Sequence, residues 1–223
     1  MKTGQLFVVA TPIGNWADIS QRAMNVLQSC HIIVCEQRRM GSTLLKKIDI
    51  HNQNLLELNE HNEKEQTPDI LNALFNGQDV ALTSDCGTPA FADPGALLIS
   101  QAMQFGIKVI PVPGPSSLMA AISVSPLPLK EFFFAGFLPR NRGQCISQLK
   151  QLRGLRKPLI VMDTPYRMQR LLTDVAQVFG KKQLVTLAFN LTLPDERIIH
   201  GILQNIQTEL VGRKGEFILI IHY

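Results

Sequence analysis

No apolar run in the 223-residue sequence approaches the roughly 18 residues that a membrane-spanning helix needs. The start of the chain, Met1-Lys2-Thr3-Gly4, leads directly into a strand-like run and lacks the layout of a signal peptide. A soluble cytoplasmic protein is therefore expected. Cysteine is scarce, with four residues and no C-x-x-C pair, which removes the usual zinc and redox frameworks. Cys30 and Cys35 flank an apolar run and are expected in the core; Cys86 falls in a loop and Cys145 lies far from both. No G-x-x-x-x-G-K-[ST] and no G-x-G-x-x-G occurs, which disfavours nucleoside triphosphate and dinucleotide folds. Neither G-x-S-x-G nor H-E-x-x-H is present. Internal repeats and low-complexity tails are also missing, and no metal site is expected.

What is present alternates. Short apolar runs read as strands at 6–11, 31–36, 55–58, 80–83 and 108–112. Helical spacing lies between them at 19–29, 40–48, 69–75 and 96–105. Asp18 is the expected N-cap of the first helix. This alternation predicts an α/β domain with a largely parallel sheet. The Pro/Gly-rich stretch at 111–115 forces a turn, and the pattern then changes. Strands are expected at 131–137, 158–163, 184–189, 196–201 and 216–222, and helices at 145–152, 167–179 and 202–210. The expected domains are 1–115 and 116–223.

Net charge is +4, unevenly placed. Residues 140–170 hold eight basic side chains against one acid, Asp163, so the remainder of the chain is net negative. Such a segment suits an anionic partner, nucleic acid first, although a solvated helix face explains it about as well.

Three Gly/Pro loops follow predicted strands: "ATPIGN" at 10–15, "SDCGTPAFADPG" at 84–95 and "PVPGPSS" at 111–117. In parallel sheets ligands collect where such loops meet, at the carboxyl ends of strands. Glycine allows close backbone approach, proline stiffens the loop, and Thr88, Ser116 and Ser117 supply hydroxyls. Ordinary tight turns are the plainer alternative.

Together with "LFVVATPIGNWADIS", "VIPVPGPSSLMAAISVSPLP", "FFFAGFLPR" and "KGEFILII", these loops run in an order that resembles the tetrapyrrole methylase superfamily, and within it the branch that acts on small-subunit ribosomal RNA. The resemblance implies two α/β domains with S-adenosylmethionine in the cleft between them, a homodimer, and methylation of a cytidine ribose 2′-oxygen. It places the cofactor against Pro12, Ile13 and Gly14, against Asp85, Gly87, Thr88 and Pro89, against Ser116 and Ser117, and near Met162 and Ala188. Asp85 and Asp93 are also natural loop braces. The chain departs from the branch in reading Glu36-Gln37-Arg38-Arg39 where Glu-Asp-Thr-Arg is usual, Pro165-Tyr166-Arg167 where Pro-His-Arg is usual, and Phe189-Asn190 where an Arg-Glu pair is usual. It also stops at Tyr223, where the branch continues into a helical extension.

A ribose hydroxyl is a weak nucleophile, so a base is useful. The candidates are Glu36, Glu60, His61 and Glu63, with Arg39 positioning the substrate and Arg140 and Arg142 meeting RNA phosphates. A solvated loop explains His61 equally well. Three functions stay open: methylation of RNA, methylation of a small molecule such as a tetrapyrrole, and a non-catalytic module that binds the cofactor or RNA.

Overall fold

The computed structural model describes residues 3–51 and 54–223. The chain divides into two compact units, Met1–Ser116 and Ser117–Tyr223.

The first unit is a five-stranded sheet of β1 (Leu6–Val9), β2 (Ile32–Cys35), β3 (Asn54–Glu57), β4 (Val80–Thr83) and β5 (Val109–Val112), in the order β3-β2-β4-β1-β5. Every pairing is parallel. Alternate residues of each strand face opposite sides, and both sides are covered. Val9, Ile33 and Ala81 pack with Ala23 and Leu27 of α1 (Gln21–Ser29) and Leu44 and Leu45 of α2 (Arg38–Lys47). Leu6, Val34, Val80 and Leu82 pack on the other side with Ile70, Leu71 and Leu74 of α3 (Glu63–Phe75) and Leu98 and Ala102 of α4 (Ala96–Gln104).

Several helices start a few residues from the expected positions, and the starts of α1 and α3 show why. Ser20, not Asp18, caps α1: its Oγ accepts from the Ala23 amide at 3.1 Å. Asp18 lies in a separate 3-10 turn, Trp16–Asp18, and the extended backbone at Ile19 and Ser20 delays the helix. Helix α3 begins six residues earlier than expected and carries Pro68 inside it. The proline forfeits one backbone bond. Thr67 Oγ1 donates to the Glu63 carbonyl at 2.6 Å, and burial of Ile70, Leu71 and Leu74 holds the helix.

The second unit holds α5 (Ser117–Ser123), β6 (Phe133–Phe137), α6 (Arg142–Arg153), β7 (Leu159–Asp163), α7 (Met168–Phe179), β8 (Leu184–Phe189), β9 (Arg197–Ile202), α8 (Leu203–Glu209) and β10 (Phe217–Ile221). Its sheet order is β6-β7-β10-β8-β9. Only β6 and β7 pair parallel; β10 is antiparallel to both its neighbours, as β8 is to β9. Phe217, Leu219 and Ile221 face α6, α7 and α8, while Ile218 and Ile220 face α5. Helix α5 follows the expected turn at 111–115, in a stretch where the sequence pattern assigns no element. Leu118 and Ala121 hold it by packing against Ile160, Ala188, Ile218 and Ile220.

Candidate functional site

In the first unit, chain order and sheet order together create the site. The helices that follow β1 and β2 lie on one side of the sheet, and the helix that follows β4 lies on the other. Strand β4 sits between β1 and β2, so the chain leaves it on the opposite side from both neighbours. Such reversals open crevices at the carboxyl ends of strands.

On the β1 side, the three Gly/Pro loops are stitched to one another. Thr11 and Gly87 form an isolated antiparallel bridge, with Thr11 N donating to Gly87 O at 2.8 Å and Gly87 N to Thr11 O at 3.2 Å. Thr11 Oγ1 also donates to the Ser84 carbonyl at 3.0 Å. The Cys86 thiol approaches the Ile13 carbonyl at 3.6 Å, and Thr88 Oγ1 donates to the Pro115 carbonyl at 3.3 Å. Gly87 has φ +85°, and a Cβ there would stand 3.3 Å from Ile13 Cγ2. A Cβ on Gly114 would stand 3.2 Å from Ala10 Cβ. Larger residues at either position would push the loops apart. The structure thus brings Pro12–Gly14, Gly87–Pro89 and Pro115–Ser116 together. Pro12, Gly87 and Pro89 are buried, Ile13, Gly14 and Ser116 partly so, and Thr88 is exposed.

On the β2 side lies a group of carboxylates. Glu36 directly follows β2 and is half-buried. Burial raises its pKa, and Asp85, Asp93 and Glu60 raise it further. Asp85 is raised by burial against the opposing effect of the Gln37 amide, which donates to its Oδ1 at 3.1 Å. Asp93 is raised by burial as well, with Ser84 Oγ 2.6 Å from its Oδ2. Both aspartates therefore brace loops. Glu57 accepts from the Arg38 amide at 3.1 Å.

The remaining expected base residues are placed differently. The His61 side chain is 84% exposed, and its ion-pair neighbour among the described residues is Glu60, whose side chain is 83% exposed, at 3.5 Å. Glu63 accepts from the amides of Gly95 and Leu97, at 2.8 and 3.1 Å, and so caps α4 from a neighbouring helix. Arg39 is exposed in the first turn of α2.

In the second unit, Met162 and Ala188 share the cluster under α5, where Ala188 is 1% exposed. Ser117 opens α5. Arg140 is exposed, whereas Arg142 is pinned to Asp174, with Nε 2.9 Å from Oδ1. Much of the basic segment is likewise engaged internally: Arg153 holds the Val178 carbonyl, Arg167 pairs with Asp163, and Lys157 pairs with Glu131. Cys30, Cys35 and Cys145 are buried thiols; burial pushes Cys30 up to about 12 and Cys35 to about 11.

The sequence reading missed Thr11 and Ser84, whose hydroxyls join the loops. Both stand inside the quoted loops, but nothing in the pattern distinguishes them from neighbouring polar residues. It also missed Asp174, although Arg170 lies four residues before it on one helix face.

Among known proteins, the tetrapyrrole (corrin/porphyrin) methylase family pattern matches residues 5–207. The chain is 40% identical over 222 residues to a ribosomal RNA small subunit methyltransferase I of Xylella fastidiosa, covering 98% of this chain and 81% of the relative. It is 39% identical to the protein of that name from Escherichia coli O157:H7, covering 98% and 77%. Among solved structures, cobalt precorrin-4 methyltransferase, a cobalamin biosynthetic enzyme, superposes with TM-score 0.69 at 17% identity, covering 97% of this chain and 94% of that one. A conserved hypothetical protein from Aeropyrum pernix K1 gives 0.77 at 16%, covering 99% and 84%. At such identities the two structures speak to fold alone. The chain shares its fold with these two structures, and its sequence matches the family pattern over most of its length: it belongs to the tetrapyrrole (corrin/porphyrin) methylase family.

Proposed function

We propose that this protein transfers a methyl group from S-adenosylmethionine to a ribose 2′-oxygen of small-subunit ribosomal RNA. The stitching of the three loops around the Thr11–Gly87 bridge carries the reading, with the likeness to the ribosomal RNA enzymes supplying the acceptor. The residues suit this cofactor. It carries no phosphate, and the loops have no phosphate-binding pattern. Its sulfonium is cationic, and Glu36, Asp85 and Asp93 stand at the same strand ends. When bound, it supplies an electrophilic methyl group for in-line displacement.

The Pro12–Gly14 and Gly87–Pro89 segments hold the cofactor through fixed backbone groups, with Asp85 securing the second of them. Ser116, Ser117, Met162 and Ala188 are the further contacts implied by the resemblance. Glu36 takes the proton from the 2′-hydroxyl. Its raised pKa moves it towards the range where a carboxylate accepts a proton effectively. His61 stands in solvent and Glu63 is engaged at α4, so neither takes this role. Arg39 orients the acceptor, and Arg140 and Arg142 meet its phosphates. The protein works in the cytoplasm as a homodimer; a sedimentation mass near 24.9 kDa at micromolar concentration contradicts the dimer.

Transfer of tritium from labelled cofactor to separated RNA, protein and small-molecule fractions tests the function. The label is expected in RNA, in an alkali-resistant dinucleotide, because a methylated 2′-oxygen no longer attacks its phosphate. Label in the small-molecule fraction assigns a tetrapyrrole-like acceptor instead, and no transfer at all leaves a binding module.

A further inference from the structure

The turn before α6 is held in an unusual way. Arg167 donates through Nη2 to the carbonyls of Leu138 and Pro139, at 3.1 and 2.9 Å, and Arg170 donates through Nη2 to the carbonyl of Arg140 at 2.8 Å. Three consecutive carbonyls are therefore fixed by two guanidinium groups from the start of α7 and the turn before it. Arg170 Nε lies 3.8 Å from Asp174 Oδ2, while Arg142 Nε donates to Oδ1 of the same carboxylate at 2.9 Å. Asp174 is 1% exposed, but the side chains of Arg142 and Arg170 are 57% and 44% exposed. One buried carboxylate thus organises two guanidiniums that reach the surface beside a third, Arg140. Three positive charges stand against one negative.

A buried carboxylate is costly unless paired and hydrogen-bonded. Helix packing alone is satisfied by an apolar residue at position 174, in line with the buried Leu171, Leu172, Val175 and Val178 on the same helix. The acid serves the arginines. The bond from Arg142 uses Nε and leaves its two terminal nitrogens without a hydrogen-bond partner among the described residues. Such a preset, planar donor pair matches two oxygens of a phosphate.

We propose that Arg140, Arg142 and Arg170 form a phosphate clamp for the RNA backbone, and that Asp174 is its positioning residue. This rests on the RNA reading given above and adds Arg170 and Asp174 to it. Pre-ordering lowers the entropy cost of fixing long side chains when the RNA arrives. A diffuse basic surface needs no buried acid; a clamp of fixed geometry does.

The test is equilibrium binding of the full chain to purified small-subunit ribosomal RNA over a series of salt concentrations. Arg142→Gln and Arg170→Gln are each expected to reduce the log–log salt slope by about 0.7–0.9, the loss of one phosphate contact. Asp174→Asn separates positioning from simple charge. It makes the protein more positive, so long-range attraction alone predicts tighter binding. The clamp predicts weaker binding and a shallower slope than in either glutamine variant. Equal or tighter binding by Asp174→Asn, in protein whose circular dichroism matches wild type, overturns the clamp. If that variant fails to fold, the two glutamine variants decide alone, each leaving Asp174 its other arginine and each read on protein whose circular dichroism matches wild type; unchanged slopes overturn it. Wild-type protein without salt-sensitive RNA binding removes the RNA reading and the clamp together. Wild-type binding that both glutamine variants retain unchanged removes the clamp alone.

Discussion

Every strand pair of the first unit is parallel, whereas in the second only β6 and β7 are. Parallel pairing sends all five carboxyl ends to one edge, so the loops after β1, β4 and β5 can be sewn together there. Antiparallel pairing divides its loops between both edges, and the second unit gathers no comparable set. Several of its polar side chains are buried instead: Thr186 Oγ1 sits 2.8 Å from both the exposed His200, at Nδ1, and the buried His222, at Nε2, and the buried Asp163 and Asp174 neutralise arginines. The direction of strand pairing decides where loop chemistry can accumulate. The first sheet is organised around its edge, the second around its interior.

The comparison breaks most sharply at Thr88, whose hydroxyl joins two of the sewn loops. Thr88→Arg places a long cation among them and is expected to abolish cofactor binding, seen as no heat on titration in a calorimeter. Binding at wild-type strength in this variant removes the three-loop site. Next in size is Glu36→Gln, which should slow methyl transfer about 10²–10⁴-fold. In the wild type kcat/KM should fall as pH drops through the raised pKa of Glu36, and the variant should lose that limb.

For the interior of the second sheet, Leu219→Ala in β10 should cost about 2–5 kcal/mol in urea unfolding, because the side chain is fully buried and leaves a cavity. Ser20→Ala should cost about 1 kcal/mol as a lost cap, with Asp18→Ala near neutral; the reverse order returns the cap to Asp18. The smallest effect concerns His222. Burial, and then the neighbouring His200, hold its pKa below the ordinary 6.5. The unfolded chain takes up this proton first as pH falls. Stability is therefore complete above about 6.5 and declines below it. Comparing unfolding free energies from pH 7.5 to 5 should show a flatter dependence in His222→Gln.

Strand positions were legible because apolar runs such as Val80–Thr83 and Phe217–Ile221 are buried throughout and bounded by Gly, Pro or charge. The start of α3 was not, because Pro68 reads as a breaker and only tertiary burial of Ile70, Leu71 and Leu74 outweighs it. At the site, the loops could be picked out by composition, and the sequence offered Glu36 as a candidate base. That Glu63 is engaged at the amides of α4, a contact spanning 32 residues, is invisible to any local pattern. The same holds for Arg142, whose partner lies 32 residues on, in the next helix. Side chains whose partners are distant in sequence escape motif reasoning, whatever their chemistry.

The place of β10 bears on how the protein is born. It is the last strand in chain order, yet it lies between β7 and β8, so it joins two ribbons that otherwise share no hydrogen-bonded edge. The first sheet is complete in sequence at Val112, and Phe217 follows 105 residues later. At a synthesis rate of about 5–20 residues per second, that is an interval of roughly 5–20 s. Throughout that time the first sheet is complete in sequence, and over its last part, once Phe189 has been added, β7 and β8 present two strand edges rich in Val, Ile and Leu with no partner. Open edges of this kind pair with other chains. A nascent chain halted before Phe217 should therefore be the aggregation-prone species, with a finished sheet at one end and a split one at the other.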